Sequence, residues 1–439
     1  MQILFDQDKY LNESLNILEI EGLGGAWALP KSSFGNTVIC ISVASGSLSE
    51  PVYQGIDGIA HFLEHRIFWR NDKDVSELFA DLGIEINAYT GLTTTDFVLV
   101  GSGNVQLCAA IDLLLDLLLA PTWSLTGLER EKNIVEHELG LYQDDPEWIG
   151  YHAALCSAYG KKRIAGEIAG DKTHLALIDL HKLMQWHELF YHPSNMMIFI
   201  SGNSDIDRLF NLISEKVFSF NRDKILAQCS WKNVSYEKIC PNQNSEFKHI
   251  KNISIRRPQV FLLFPLEPSL FQGGELVRME VALELALDIL LGPSGIVYEK
   301  LYLSGLIGGN SLDYETEIEK DFGFVTINVE TDLPGEFCDQ IYHSIGDILT
   351  GDLVKTDIER ARKKALGSLV RSYETSEECV ELLKFAQGLG VRPSAYTNAL
   401  IDVTEEDVIE VISIFLQGER KLGALLSPHG SKLPKIQIL

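Results

Sequence analysis

The sequence lacks several features that would narrow its class at once. Met1-Gln-Ile-Leu-Phe-Asp-Gln-Asp-Lys-Tyr10 has no basic segment leading into an apolar run and a small-residue cleavage site, so no secretory signal peptide is expected. No stretch approaches 18 consecutive apolar residues. The richest, Ala109 to Pro121, is broken by Asp112 and Asp116 and reads as an amphipathic core helix. The 7 cysteines include no CxxC pair and lie mostly in apolar segments, which points to buried, reduced thiols of a cytoplasmic protein rather than a disulfide framework. Positive charge is also scarce: 37 basic against 62 acidic residues give a formal net charge of −25. Such a surface repels phosphates and anionic lipid, which excludes nucleic-acid and membrane-surface partners. Arg256-Arg257 and Lys161-Lys162-Arg163 are too short to reverse that balance.

The 439 residues, 46% hydrophobic and 23% charged, have an ordinary globular composition and enough length for two or three domains. Leu15–Ile20 and Asn36–Val43 read as strands, and Gly58–Arg70 and Asp74–Leu82 as helices, the second with Val75, Leu78, Phe79 and Leu82 on one face. Ile84–Gly91 and Thr93–Val100 read as a hairpin. Helices are expected at 104–119, 125–142 and 173–190, and a strand at 196–201. A polar stretch, 221–252, shows no sustained period and reads as a linker. A second cycle follows: a strand at 258–265, helices at 274–291 and 294–303, strands at 311–316 and 321–330, and helices at 335–350, 355–373 and 377–388. Its order echoes the first cycle, and Gly58–His65 can be laid on Gly295–Tyr302. The expectation is α+β: two tandem homologous domains, 1–220 and 253–439, each a mainly antiparallel sheet packed with helices.

The chemistry lies in His61-Phe-Leu-Glu-His65. On a helix, residues i and i+4 share a face, so both imidazoles reach one metal ion. Glu64 sits beside that face, where a carboxylate can take a proton from a water at the metal. This is the H-x-x-E-H arrangement, the inverse of H-E-x-x-H. Two histidines leave a tetrahedral catalytic zinc site one protein ligand short. The helical segment Glu129–Glu138 offers Glu131, Glu136, His137 and Glu138, and spacing does not choose among them. Glu131 and Glu138 lie two helical turns apart on one face, so one could bind metal while the other orients a histidine. Glu136 and His137 point elsewhere.

The other candidates carry bland readings. His181 and His187 are not an i, i+4 pair, and His192 reads as a structural helix-end residue. Gly305, Gly308 and Gly309 lack the spacing of a phosphate loop. Asp144-Asp145 before Pro146 reads as a turn that ends a helix.

An ordered series of segments resembles the pitrilysin and insulinase-type zinc peptidases, which include the mitochondrial processing peptidases. The series is Gly58–His65, Asn87-Ala-Tyr-Thr90, Glu131–Glu138, Tyr142-Gln-Asp-Asp-Pro146 and Phe190-Tyr-His-Pro-Ser-Asn195. It resembles most the short bacterial members with one pair of domains per chain. The resemblance implies one Zn2+ per chain held by His61, His65 and Glu138, with Glu64 as general base and Glu131 behind the ligands. It implies that Asn87, Ala88 and Tyr89 form an edge strand to which a peptide substrate adds. In many members the second half supplies an Arg and a Tyr near the scissile bond. The matching segment here, Leu301–Asn310, has Tyr302 in the Arg position and Gly308-Gly309 in the Tyr region, so neither role transfers.

The expectation is therefore a cytoplasmic zinc endopeptidase, cleaving short or unstructured peptides in a chamber, as in peptide maturation by leader removal. A homologous zinc-free partner chain would supply the missing pair. The alternatives are a structural or peptide-binding subunit of the same fold without catalysis.

Overall fold

The computed structural model describes residues 2–52, 55–70, 73–223, 239, 241, 246–267, 271, 273–309, 311–350, 355–416 and 422–430. In chain order the first half contains β1 (Gln2–Asp8), β2 (Glu13–Glu19), β3 (Gly25–Pro30), β4 (Thr37–Val43), α1 (Ile59–Ile67), β5 (Trp69–Arg70), β6 (Lys73–Asp74), α2 (Ser76–Asp81), β7 (Glu85–Thr90) and β8 (Thr95–Gly101). Then come α3 (Asn104–Leu119), α4 (Leu125–Asp144), α5 (Pro146–Tyr159), α6 (Lys172–Leu177), α7 (Leu180–Phe190), β9 (Met196–Gly202) and α8 (Ile206–Asp223). The second half contains β10 (Lys248–Ile253), β11 (Gln259–Leu266), α9 (Gly274–Leu291), α10 (Ile296–Leu303), β12 (Leu312–Ile318) and β13 (Gly323–Glu330). It continues with α11 (Pro334–Thr350), α12 (Lys355–Ser372), α13 (Ser376–Gly388), α14 (Pro393–Asp402), α15 (Glu405–Leu416) and β14 (Leu422–Pro428).

These elements build two compact α+β units. The first takes the described residues of Met1–Gly140, Gly166–Tyr236 and Arg371–Phe385. The second takes those of Leu141–Ala165, Glu237–Val370 and Ala386–Leu439. Each unit thus incorporates a helical segment from the other half of the sequence: most of α13 joins the first, and α5 joins the second. Gly150 on α5 shows why α5 fits there. A Cβ at that position would sit 2.1 Å from the Phe261 ring of β11, so only glycine permits the approach.

The first sheet has the order β1-β2-β3-β9-β4-β8-β7, with β3 and β9 parallel and the other pairs antiparallel. The second has the order β10-β14-β11-β13-β12, with β10 and β14 parallel and the rest antiparallel. Mainly antiparallel sheets packed with helices were the expectation. The central strand β4 is buried along its whole length, as its β-branched run requires.

Several elements went unread in the sequence. β1 is only partly buried, with Asp8 its one buried residue, and it shows no clean alternation. The segment expected as one helix at 173–190 is two, because Asp179 stops α6 and caps α7 by accepting from Lys182 N. Of the stretch expected as a linker, residues 224–238, 240 and 242–245 lie outside the described residues, and its end forms β10. After 388, α14, α15 and β14 complete the second unit.

Helix α9 with α10 has the length and apolarity of a membrane span by composition, but 72% of its most apolar window is buried within the protein. It is the core helix of the second unit, which explains its apolar character on all sides. Cys40, Cys108, Cys338 and Cys379 are buried free thiols and Cys156 is half-buried. Cys229 and Cys240 lie outside the described residues.

Candidate metal centre

Helix α1 is only nine residues long, so its own hydrogen bonds cannot stabilise it and packing must hold it. Ile59, Ala60, Phe62, Leu63 and Ile67 are fully buried around it. Gly58 precedes it with φ +85, and a Cβ there would lie 2.3 Å from the Ala169 carbonyl oxygen. Only glycine meets both demands, which fixes where the helix begins. His61 and His65 then fall one turn apart with ring centroids 4.7 Å apart.

Helix α4 supplies the facing carboxylates. Its buried positions are Gly127, Leu128, Glu131, Val135 and Leu139, so Glu131 occupies the apolar stripe where a hydrophobic side chain would ordinarily stand. At 2% exposure this acid needs a partner. Its Oε1 lies 2.9 Å from His65 Nδ1. That contact leaves His65 Nε2 to face Glu138, whose Oε2 is 3.4 Å away, while Glu138 Oε1 lies 3.6 Å from His61 Nε2.

The donor atoms of His61, His65 and Glu138 all lie within 4.8 Å of one another. A tetrahedron with bonds of about 2.0–2.1 Å has donors roughly 3.3 Å apart. His61 Nε2 and His65 Nε2 each lie near that edge length from one of the two Glu138 oxygens, so the donor set fits zinc in chemistry and lies within reach of a single ion. The Glu131–His65 contact is of the carboxylate–histidine kind that orients an imidazole toward a metal. The remaining candidates of α4 are excluded by position: Glu136 is exposed and pairs with Lys172 at 2.8 Å, and His137 is exposed.

Glu64 is buried to 7% exposure next to the cluster and accepts a hydrogen bond of 2.7 Å from Thr90 Oγ1. Burial pushes its carboxyl above the ordinary range, against the opposing pull of His61, Thr90 and His65. His65 shows the reverse balance. Burial would lower its pKa, but the Glu131 and Glu138 carboxylates outweigh it and hold the ring up at about 10. The cluster is thus an acid-rich pocket that favours positive charge.

β7 ends the first sheet, so one of its edges has no strand partner among the described residues. Its side chains alternate. Thr90 faces Glu64 on α1 and Ala88 shares its face, while a cleft of ≈ 340 Å³ runs along the strand edge at Asn87 and Ala88, lined also by Glu64, His65 and Glu131. Tyr89 turns to the opposite face, where its hydroxyl reaches Glu381 at 3.3 Å and accepts from Lys384. Thr90 closes the quoted Asn87–Thr90 segment, but its bond to Glu64 could not be read from the sequence. Lys384 and Glu381 left no signal at all, since they enter from almost 300 residues away.

A sequence model described as insulinase, peptidase family M16, matches residues 30–172, and one described as the peptidase M16 inactive domain matches residues 178–365. The chain belongs to the pitrilysin/insulinase family of peptidases. It is 28% identical over 408 residues to the uncharacterized zinc protease YmfH of Bacillus subtilis, covering 90% of this chain and 92% of that protein. It is 23% identical over 357 residues to the uncharacterized zinc protease YmxG of the same organism, covering 77% and 80%. Among solved structures, an M16-like peptidase from Alicyclobacillus acidocaldarius matches with TM-score 0.80 at 21% identity, over 97% of this chain and 98% of that one. A protease from Helicobacter pylori matches with TM-score 0.79 at 16% identity, over 97% and 99%. At these identities the structural likeness speaks to the fold.

Within this M16 fold the bland candidates have bland roles. His187 is buried against the Leu118 carbonyl oxygen at 2.7 Å. His192 Nδ1 accepts from Ser194 N and caps the turn before β9. Asp145 accepts from Glu147 N and, with Pro146, starts α5 immediately after α4 ends.

Proposed function

We propose that this protein is a zinc-dependent endopeptidase acting on short or unstructured peptides. One observation carries the reading: His61, His65 and Glu138 gather their donor atoms within 4.8 Å of one another, next to a buried carboxylate and a sheet edge with no strand partner among the described residues. His61 and His65 would hold the ion through Nε2 and Glu138 through a carboxylate oxygen, one Zn2+ per chain. Zinc, when bound, supplies a Lewis acid that acidifies water and polarises a carbonyl. Glu64 acts as the general base. Its buried carboxylate stands where it can take a proton and pass it to the leaving amine, and Thr90 fixes its orientation. Glu131 holds the His65 ring through Nδ1. The peptide adds beside β7 as a further strand, bonding the main chain at Asn87, Ala88 and Tyr89. Main-chain pairing tolerates many sequences, which suits a peptidase of unfolded substrates.

In the second unit, Leu301–Gly309 supplies no Arg and Tyr pair, and Tyr302, in the Arg position, is 54% exposed. A homologous zinc-free partner chain would bring such donors to the developing oxyanion. The setting is cytoplasmic, and removal of a leader from a ribosomally made peptide is a fitting task. A second reading, a peptide-binding subunit without catalysis, draws support from the match of residues 178–365 to the inactive-domain model.

The test is to purify the chain with and without candidate partners, measure zinc per chain, and assay an unstructured peptide. One zinc per chain, lost in His61→Ala, and cleavage lost in Glu64→Gln with zinc retained are expected. Full activity in Glu64→Gln overturns the mechanism. Zinc that persists in His61→Ala overturns the ligand set. Equal activity with and without every partner overturns the heterodimer. Peptide binding without cleavage under all conditions favours the second reading.

A further inference from the structure

On the face of the first sheet opposite the metal cluster, three strands present a polar row. Ser42 of β4 pairs in register with Asp96 of β8, and Asp96 pairs in register with Tyr89 of β7. All three therefore project to the same side of the sheet. Asp96 is 2% exposed, and a buried carboxylate demands compensation. Ser42 Oγ donates to it, and Lys384 Nζ lies 3.0 Å from its Oδ2. Lys384 comes from α13, a helix of the second half that joins this unit. Its ammonium also donates to the Tyr89 hydroxyl, lies 4.8 Å from the Tyr89 ring centroid, and reaches Glu381 one turn earlier. One cation thus ties the edge strand to its neighbour and to a helix from a distant part of the chain.

We infer that Lys384 is a positioning residue for peptide capture: it fixes β7, the docking edge, from the face that the metal does not use. The inference rests on the reading of β7 as the strand to which substrate adds. An edge strand is held from one side only, so its outer hydrogen-bonding groups are aimed only as well as its side chains anchor it. On one face Thr90 anchors to Glu64. On the other, the Tyr89 contact is the anchor, and Lys384 supplies it. A well-packed apolar pair would stabilise the fold equally well, whereas a charged pair in this place specifies one geometry. The consequence is a division of labour: the first half of the chain builds the metal cluster, and a residue of the second half sets how firmly peptide is held.

The test uses the full chain, with its partner where one is needed. Lys384→Met, Lys384→Arg and the double variant Lys384→Met/Asp96→Asn are compared for zinc content, for kcat and KM on an unstructured peptide, and for hydrogen exchange of the β7 amides bonded to β8. In Lys384→Met, zinc content is expected to hold. KM should rise roughly tenfold, the size of one charge-assisted hydrogen bond. kcat should stay within about twofold, as expected for loss of uniform binding. The β7 amides should exchange faster while α1 stays protected. Arg should restore KM, and the double variant, which removes the unpaired carboxylate, should leave KM raised. An unchanged KM, or full recovery of KM by Asp96→Asn, overturns the inference, since Lys384 would then only neutralise a buried charge. A parent chain that cleaves no peptide fails the proposed function instead. In that case exchange decides: unchanged protection of β7 in Lys384→Met overturns the positioning role, and selective loss supports it.

Discussion

The two sheets follow one plan and do different things with it. The run β3-β9-β4-β8-β7 of the first unit and the run β10-β14-β11-β13-β12 of the second have the same sequence of parallel and antiparallel pairings, and each ends in an edge hairpin. A short helix precedes that hairpin in both. On α1 the residues one turn apart are His61 and His65, with rings inclined at 68°. On α10 the matching residues are Tyr298 and Tyr302, whose rings stack at 6.4 Å and 6°. Each unit then has a long helix contributing charge. Helix α4 brings Glu131 and Glu138 to the histidines, whereas α12 brings Arg360 and Lys364 to Asp288 on α9. The same backbone plan thus carries a His/Glu cluster in one unit and a Tyr pair with a cation–carboxylate cluster in the other, and side-chain identity makes the difference.

The comparison breaks most severely if Glu64→Gln leaves peptide cleavage intact. A lost general base should cost about 10²–10⁴-fold in kcat with zinc content unchanged. Steady-state kinetics and metal analysis on one preparation check both halves. Next in size, Glu131→Gln should weaken zinc binding about 10–100-fold by releasing the His65 ring, measured by competition with a chelator. If affinity does not change, Glu131 is an ordinary buried acid.

A smaller effect belongs to the second unit, where buried acid joins no metal-shaped cluster among the described residues. Glu280 on α9 is 6% exposed. Burial, with Glu284 and Glu317 nearby, pushes its carboxyl up to about 8. Between its unfolded value and about 8, the folded chain binds a proton that the unfolded chain releases, so stability falls as pH rises through that window. Glu280→Gln should match the parent near pH 4 and exceed its Tm above pH 8 by several degrees, which a thermal melt at each pH reads. A gain that is the same at every pH would remove the carboxyl as its cause. The smallest expected effect is no effect. Tyr298→His, Leu301→Glu and Tyr302→His together should leave zinc at one per chain, because α12 offers cations where α4 offers carboxylates. A second zinc would show that the helix motif alone makes the site.

Much of this was legible in the chain. The His61-to-His65 spacing, the hairpin at 84–100 and the order of the second cycle all follow from local periodicity, and the structure keeps them. Glu138 could be separated from Glu131 by resemblance but not by spacing, since both lie on one face of α4 and only the facing helix distinguishes them. β1 and β14 escape a reading from the sequence for different reasons: the first is only partly buried and shows no pattern, and the second lies beyond the last segment with a clear period. The affiliation of α5 and α13 with the units of the opposite halves was not legible at all. An amphipathic helix announces that it must be covered, but not by what.

The sequence by itself determined which helix carries two imidazoles and a carboxylate on adjoining positions, because i, i+4 geometry is a property of the local backbone. It also determined that the chain repeats an α+β order. Only the tertiary structure decided that Glu131 stands behind His65 while Glu138 stands beside both histidines, and that Lys384 reaches Tyr89 across almost 300 residues. These are contacts between elements, set by burial and by the need of each buried charge for a partner. No period in the sequence encodes them.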